Sequence, residues 1–345
     1  MTSLRLPVAL LGATLLATVA VPAHIGSSAP ARAGRTASAA PAPSAVRPAP
    51  AMALRSTIHP VLFGLLDPND DARHLTENQL NVNSALVGYF HGWDRTRGFP
   101  QMVHMRNDGA VPIIAWMPKT PLDDILNGSW DGYIRSWLAG ARDWGHPVII
   151  RLMPEMNCTE VYAIGHDGNT SAKFVAAWRH IVTIGRNVGA TNVKWMWNPN
   201  RAFKGSYALK PMWPGRTWVD WIGIDGYNYG TKDHGGWLWF KELFGPTKKI
   251  IRSFAPYKPM MVAEAGSTTG RYKPAWINGM FSAAPAMGFK ALVYFDYKLA
   301  RDWRLASSSA SLAAARSGVH QSTWTGYLPP VVSQTKIEYF VRNGL

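Results

Sequence analysis

Two glutamates carry the chemistry this sequence suggests. The apolar run 148–153 passes through Arg151 into Pro154-Glu155-Met156-Asn157, and the run 259–263 leads into Glu264-Ala265-Gly266. Two carboxylates facing one sugar ring can break a glycosidic bond. One protonates the leaving oxygen, while the other attacks or stabilises the anomeric carbon. A single glutamate at such a place reads equally as an ion-pair partner or a helix cap; two after similar runs narrow the choice. Side chains alternate along a strand, so Arg151, Met153 and Glu155 are expected on one face, as are Met260, Val262 and Glu264. The run 219–225 ends in Asp225-Gly226-Tyr227-Asn228-Tyr229. A Tyr227 hydroxyl there can donate a hydrogen bond to the carboxylate on the next strand and hold it ionised as a nucleophile. Asp225 reads as structural. Arg151 reads equally as a buried counter-charge and as a substrate-binding residue.

Sixteen tryptophans are the other unusual feature. Most must pack in the core, but flat aromatic rings also stack on sugars. Trp93 and Trp197 fall at the ends of apolar runs and are the favoured stacking residues, ahead of Trp116, Trp213, Trp237 and Trp239. Cys158 lies beside Glu155, with His166 nearby in sequence. An inert buried thiol is the better reading, because a cysteine nucleophile needs an oriented base. The acidic stretch around Asp67, Asp70 and Asp71 lacks the ligand spacing of a calcium loop and reads as a solvated turn. The histidines show no metal-binding spacing, and there is no GxGxxG after an early strand and no Walker A motif, so no metal and no cofactor are expected.

These residues need a scaffold. Eight short apolar runs, at 61–66, 85–90, 111–116, 148–153, 193–197, 219–225, 259–263 and 291–295, alternate with amphipathic segments. Nearly continuous apolar runs are the mark of parallel strands buried on both faces. In 133–144, Tyr133, Ile134, Trp137, Leu138 and Ala141 share a face; in 171–188, Phe174, Val175, Trp178, Ile181 and Val182 do, with Thr170 or Ser171 as cap. The alternation predicts an α/β fold, a (β/α)8 TIM barrel forming a single catalytic domain, whose chemistry sits at the C-terminal strand ends. A doubly wound open sheet is the alternative architecture.

Composition bounds the rest. The 345 residues are 47% hydrophobic, enough for a sizeable core, and one cysteine excludes an intrachain disulfide framework. The net charge of +15 comes from scattered bases rather than a stripe, which argues against a nucleic-acid partner and for electrostatic association with an anionic cell wall. Residues 1–33, with Arg5 ahead of a short apolar run and small residues before Ala23 and Ala33, read as an export signal rather than a membrane anchor. Residues 34–58 are an Ala/Pro/Ser-rich linker, 59–318 the catalytic domain, and 319–345 a C-terminal extension, read as a strap across the barrel bottom. A secreted, extracellular monomer is the expectation.

The segments at 151–157 (RLMPEMN), 174–200, 213–229 and 258–267, with Phe295-Asp296 and Asp302-Trp303-Arg304, make the chain resemble glycoside hydrolase family 26 over residues 59–317. That family consists chiefly of β-mannanases, with some β-glucanases and β-1,3-xylanases. The resemblance implies a retaining mechanism, Glu155 as acid/base, Glu264 as nucleophile, and a sugar cleft across the strand ends. The chain departs from the family where many members have His before the acid/base and an aromatic stretch after it. Here stand Pro154 and Cys158-Thr159-Glu160-Val161-Tyr162. The expected function is a retaining endo-β-glycosidase acting on a polysaccharide, β-mannan or glucomannan first and a β-glucan as alternative. The rival from another class is a glycan- or wall-binding protein without turnover.

Overall fold

The computed structural model describes residues 60–325 except 101 and 159–161, together with 338 and 341. The segments read as export signal and linker, and most of the C-terminal extension, lie outside the described residues. Eight parallel strands run β1 Val61–Leu66, β2 Leu86–Gly92, β3 Val111–Met117, β4 Val148–Leu152, β5 Val193–Trp197, β6 Trp221–Asn228, β7 Met260–Ser267 and β8 Ala291–Phe295. Each pairs with the next, and β8 pairs with β1, which closes the barrel. The helices are α1 Asp70–Leu80, α2 Val103–Asn107, α3 Leu122–Leu126, α4 Asp131–Trp144, α5 Ser171–Asn187, α6 Phe240–Arg252, α7 Lys273–Ala286 and α8 Ser309–Val319. Among the described residues, none is long and apolar enough to cross a membrane.

The core lies mainly between barrel and helices. Ile150 and Leu152 of β4, Val193, Trp195 and Trp197 of β5, and Ile222 and Ile224 of β6 join Ile134, Trp137 and Leu138 of α4 in one buried apolar cluster. Each such side chain contributes about 1.5–3 kcal/mol by leaving water. Helix α5 starts as its sequence suggests: the Thr170 side chain accepts the Lys173 N–H at 3.2 Å. Helix α1 is capped by Asn69, whose side chain accepts the Ala72 N–H, so Asp70 and Asp71 occupy a helix first turn. Asp67 ahead of them is buried rather than solvated.

Strand β7 breaks the simple alternation. Ile224 pairs with Val262, but Asp225 pairs with Glu264, so Ala263 is an extra residue without a β6 partner. The same shift appears against β8. Met260, Val262 and Ala265 belong to the cluster shared with the helices. Ala263 lies on the inner side, where a side chain on Gly223 would come 2.9 Å from its Cβ and 2.6 Å from Met196. The bulge therefore turns Glu264 into the barrel although Val262, two residues earlier, faces the helices. The expected common face of Met260, Val262 and Glu264 is corrected accordingly.

A ninth strand, β9 Trp324–Thr325, pairs with the N-terminal end of β1 through Val61 and Leu62. Trp324 is buried against Phe63 and Phe281, and its indole donates to the Phe281 carbonyl at 2.8 Å.

Candidate active site

The strand β4 ends at Leu152, and Glu155 rides on the turn beyond it. Met153 and Glu155 both take left-handed backbone, with φ of 45° and 56°. This corrects the expectation that Arg151, Met153 and Glu155 share a strand face, because the pleat has ended before Met153. Non-glycine residues pay for such conformations, and here the surroundings hold them. The Glu155 N–H donates to the Asn198 carbonyl at 2.7 Å, the Cys158 N–H donates to the Glu155 carbonyl at 2.9 Å, and the Tyr162 hydroxyl donates to the Pro154 carbonyl at 2.7 Å. The half-buried Glu155 carboxylate accepts the Asn200 side-chain N–H at 2.7 Å on Oε1. Asn200 is fixed in turn by Asn157, which accepts its backbone N–H at 2.9 Å and donates to its carbonyl at 3.1 Å.

Glu264 is 5% exposed and has a partner on each oxygen. Arg151 donates to Oε1 at 2.5 Å, and the Tyr227 hydroxyl donates to Oε2. Arg151 is itself buried beneath the site. Its guanidinium also donates to Asp225 at 2.5 Å and to the Asn198 side-chain oxygen. Burial opposes its charge, but the attraction of Asp225 and Glu264 outweighs burial and keeps it protonated beyond the ordinary range. Burial pushes Asp225 well above the usual carboxylate range despite the pull of Arg151, and the Glu264 and Glu155 charges push the same way. Tyr227 is likewise pushed up, by burial first and then by the charge of Glu264, so it stays a donor. Gly266, opposite Tyr227 on β7, makes room for this arrangement: a Cβ there would lie 3.0 Å from the Tyr227 ring and 3.1 Å from Trp303.

The structure thus brings Glu155, Glu264, Arg151 and Tyr227 to one end of the barrel. Glu155 is close enough for its charge to act on Arg151, Asp225 and Tyr227. Arg151 is 1% exposed, so it cannot touch a sugar; the substrate-binding role gives way to that of a counter-charge. Trp93 and Trp197 are also corrected. Trp93 is 2% exposed and packs among Trp116, Trp130 and Tyr133. Trp197 is fully buried on the helix-facing side of β5, where its indole donates to the Met212 carbonyl at 3.0 Å and its rings meet Trp213 and Phe254. Trp239 is exposed on the loop after β6, Trp237 half-buried beside it. Cys158 is partly exposed rather than buried, and His166 stands exposed against Asp167. Among the described residues, no three His, Cys, Asp or Glu side chains cluster as a metal site.

Sequence reasoning missed Asn198 and Asn200, which aim the Glu155 turn, and Tyr229 and Arg201 beside them. The signal was present: Asn198-Pro199-Asn200-Arg201 follows the run 193–197, at a strand end of the kind that yielded both glutamates.

Residues 104–293 match the family model of glycosyl hydrolase family 26. The chain belongs to that family. Endoglucanase H of Acetivibrio thermocellus is 31% identical over 286 residues, which cover 78% of this chain and 31% of that protein. The chain therefore spans about a third of its relative's length. Among solved structures, the family 26 β-mannanase of Bacteroides ovatus superposes with a TM-score of 0.61 at 15% identity, covering 80% of this chain and 92% of that one. The modular endo-β-1,4-mannanase of Cellulomonas fimi gives 0.60 at 15% identity, covering 78% and 72%. At such identities the likeness establishes the closed barrel. The chain is a family 26 member with the closed barrel of those neighbours.

Proposed function

We propose that this family member is a retaining endo-β-glycosidase, with Glu264 as nucleophile and Glu155 as acid/base. The observation that carries the reading is the opposite treatment of the two carboxylates. Glu264 is buried with a cation on one oxygen and a phenol on the other, which holds it oriented as a nucleophile. Glu155 is more open and meets the neutral amide of Asn200, which suits a group that must gain and lose a proton. Glu264 attacks the anomeric carbon as Glu155 gives its proton to the leaving oxygen, forming a glycosyl-enzyme. Glu155 then takes a proton from water, and the resulting hydroxide releases the sugar with retained configuration. An activated 2-fluoro glycoside should label Glu264 and be located by peptide mass spectrometry; labelling elsewhere, or an inverted product by NMR, would refute the assignment.

For the substrate, a β-glucan or glucomannan is favoured. Endoglucanase H, the relative at 31% identity, carries a glucanase name, and Pro154 offers no hydrogen-bonding edge where many β-mannanases have His. Unbranched β-mannan is the second reading, supported by the resemblance to a family made up chiefly of β-mannanases. Initial rates on mixed-linkage glucan, glucomannan, mannan and β-1,3-xylan distinguish them; strict activity on mannan would overturn the first reading. Export is part of the proposal, supported by Arg5 and the apolar run that follows it, and N-terminal sequencing of secreted protein tests it.

A further inference from the structure

The rim beside Glu155 carries more positive charge than a neutral sugar needs. Arg201 leaves the end of β5, Arg301 stands in the loop after β8, and both approach Tyr229 just beyond β6. The Arg301 guanidinium lies 5.4 Å from the Tyr229 ring centre and donates to the Tyr229 carbonyl at 3.2 Å. The Tyr229 ring stacks on His234 at 4.0 Å, and Arg201 donates to the His234 carbonyl at 3.2 Å. Burial and the charge of Glu155 raise the Tyr229 hydroxyl, while Arg301 and Arg201 pull it back, so all four groups share one neighbourhood.

Neither arginine is paired with a carboxylate among the described residues. The neighbouring acids after β8 are already engaged: Asp296 accepts from Thr76 and from the Leu305 N–H, and Asp302 pairs with Arg304 at 2.6 Å. Arg201 is half-buried; among the described residues its guanidinium donates to the His234 carbonyl and lies 5.8 Å from the Phe203 ring. Lys204 and Lys232 stand exposed on the same loops. A guanidinium has five donors in a planar fork that matches a carboxylate. Among the described residues each of the two guanidinium groups makes one hydrogen bond.

We propose that Arg201 and Arg301 form a subsite for a carboxylate carried by the glycan, so that the preferred substrate bears uronic acid units beside the cleaved bond. The inference rests on the glycosidase reading above. It is tested with neutral mixed-linkage β-glucan and the same polymer oxidised at C6 to glucuronate. At low salt the wild-type kcat/KM on the oxidised polymer should exceed that on the neutral one by about tenfold, or about 1.4 kcal/mol. That ratio should shrink toward one in Arg201→Met and in Arg301→Met, and in wild type as salt screens the charges. Binding by Glu264→Gln is the second readout, with neutral and C6-oxidised cello-oligosaccharides in a calorimeter. Because binding needs no turnover, preference of Glu264→Gln for the oxidised ligand, with a wild type that cleaves neither polymer, would refute the glycosidase reading and keep the subsite. Equal affinity for the two ligands, including binding of neither, or a preference that survives both arginine substitutions, would overturn the inference.

Discussion

Tyr227→Phe removes a single oxygen from the site. The ring keeps its packing against Trp303, Phe295 and Tyr229, at centroid distances of 5.0, 5.6 and 6.1 Å, so the fold should survive. What is lost is the hydrogen bond to Oε2 of Glu264. A hydrogen bond to a charged group contributes about 1.5–3 kcal/mol. At about 1.4 kcal/mol per factor of ten, formation of the glycosyl-enzyme should slow by about 10–150-fold. Arg151 still holds Oε1 at 2.5 Å, so the loss stays far short of removing the nucleophile. The measurement is pre-steady-state release of an aryl leaving group, which isolates the first chemical step, alongside a denaturant midpoint to confirm stability. A slowing of less than about threefold in a stable variant would show that the phenol does not tune Glu264, and the argument from its two occupied oxygens would fail.

Asn200→Ala takes away the amide that aims Glu155, so cleavage of substrates with poor leaving groups should slow by about tenfold and activated aryl glycosides much less; equal effects on both would refute the aiming role. Arg151→Met strands Glu264 and Asp225 without their buried cation and should cost about 3–5 kcal/mol of unfolding free energy, with Arg151→Met/Asp225→Asn recovering part of it; urea melts read both. His91 accepts the Trp137 indole N–H at 3.1 Å as a neutral ring, and burial, with a smaller push from Arg97, lowers its pKa to about 4. The unfolded chain binds the extra proton first, so stability should fall by about 3 kcal/mol as pH drops from about 6.5 to about 4. In His91→Gln that slope should flatten, as followed by unfolding at a series of pH values.

The barrel was legible because each parallel strand is covered on both faces, which writes it into the sequence as an unbroken apolar run. Strands β1, β5 and β8 coincide with the runs 61–66, 193–197 and 291–295. The same uniformity hid what alternation should have shown. In a run such as Met260-Met261-Val262-Ala263, nothing in residue type marks the bulge, because both faces accept apolar side chains. It likewise concealed that Trp197 faces the helices, where Val193 and Trp195 also point. Trp93 and Trp116 were read as strand-end rings, but α4 brings Tyr133 and Trp137 over them, a contact made only in three dimensions. The glutamates and the asparagines alike follow apolar runs, but the bond from Asn200 to Glu155 crosses neighbouring strand ends, a contact that neither run shows by itself.

The bulge at Ala263 gives this barrel an unusual kind of fragility. Alanine contributes no functional group there. Its place outside the β6 ladder is another matter. Drawing it into the ladder opposite Asp225 would bring Glu264 into step with Met260 and Val262 and swing its carboxylate toward the apolar layer beneath the helices, away from Arg151 and Tyr227. Every residue type argued to matter would still be there, in the same order. The information that places Glu264 is held in strand register, which a comparison made identity by identity does not weigh.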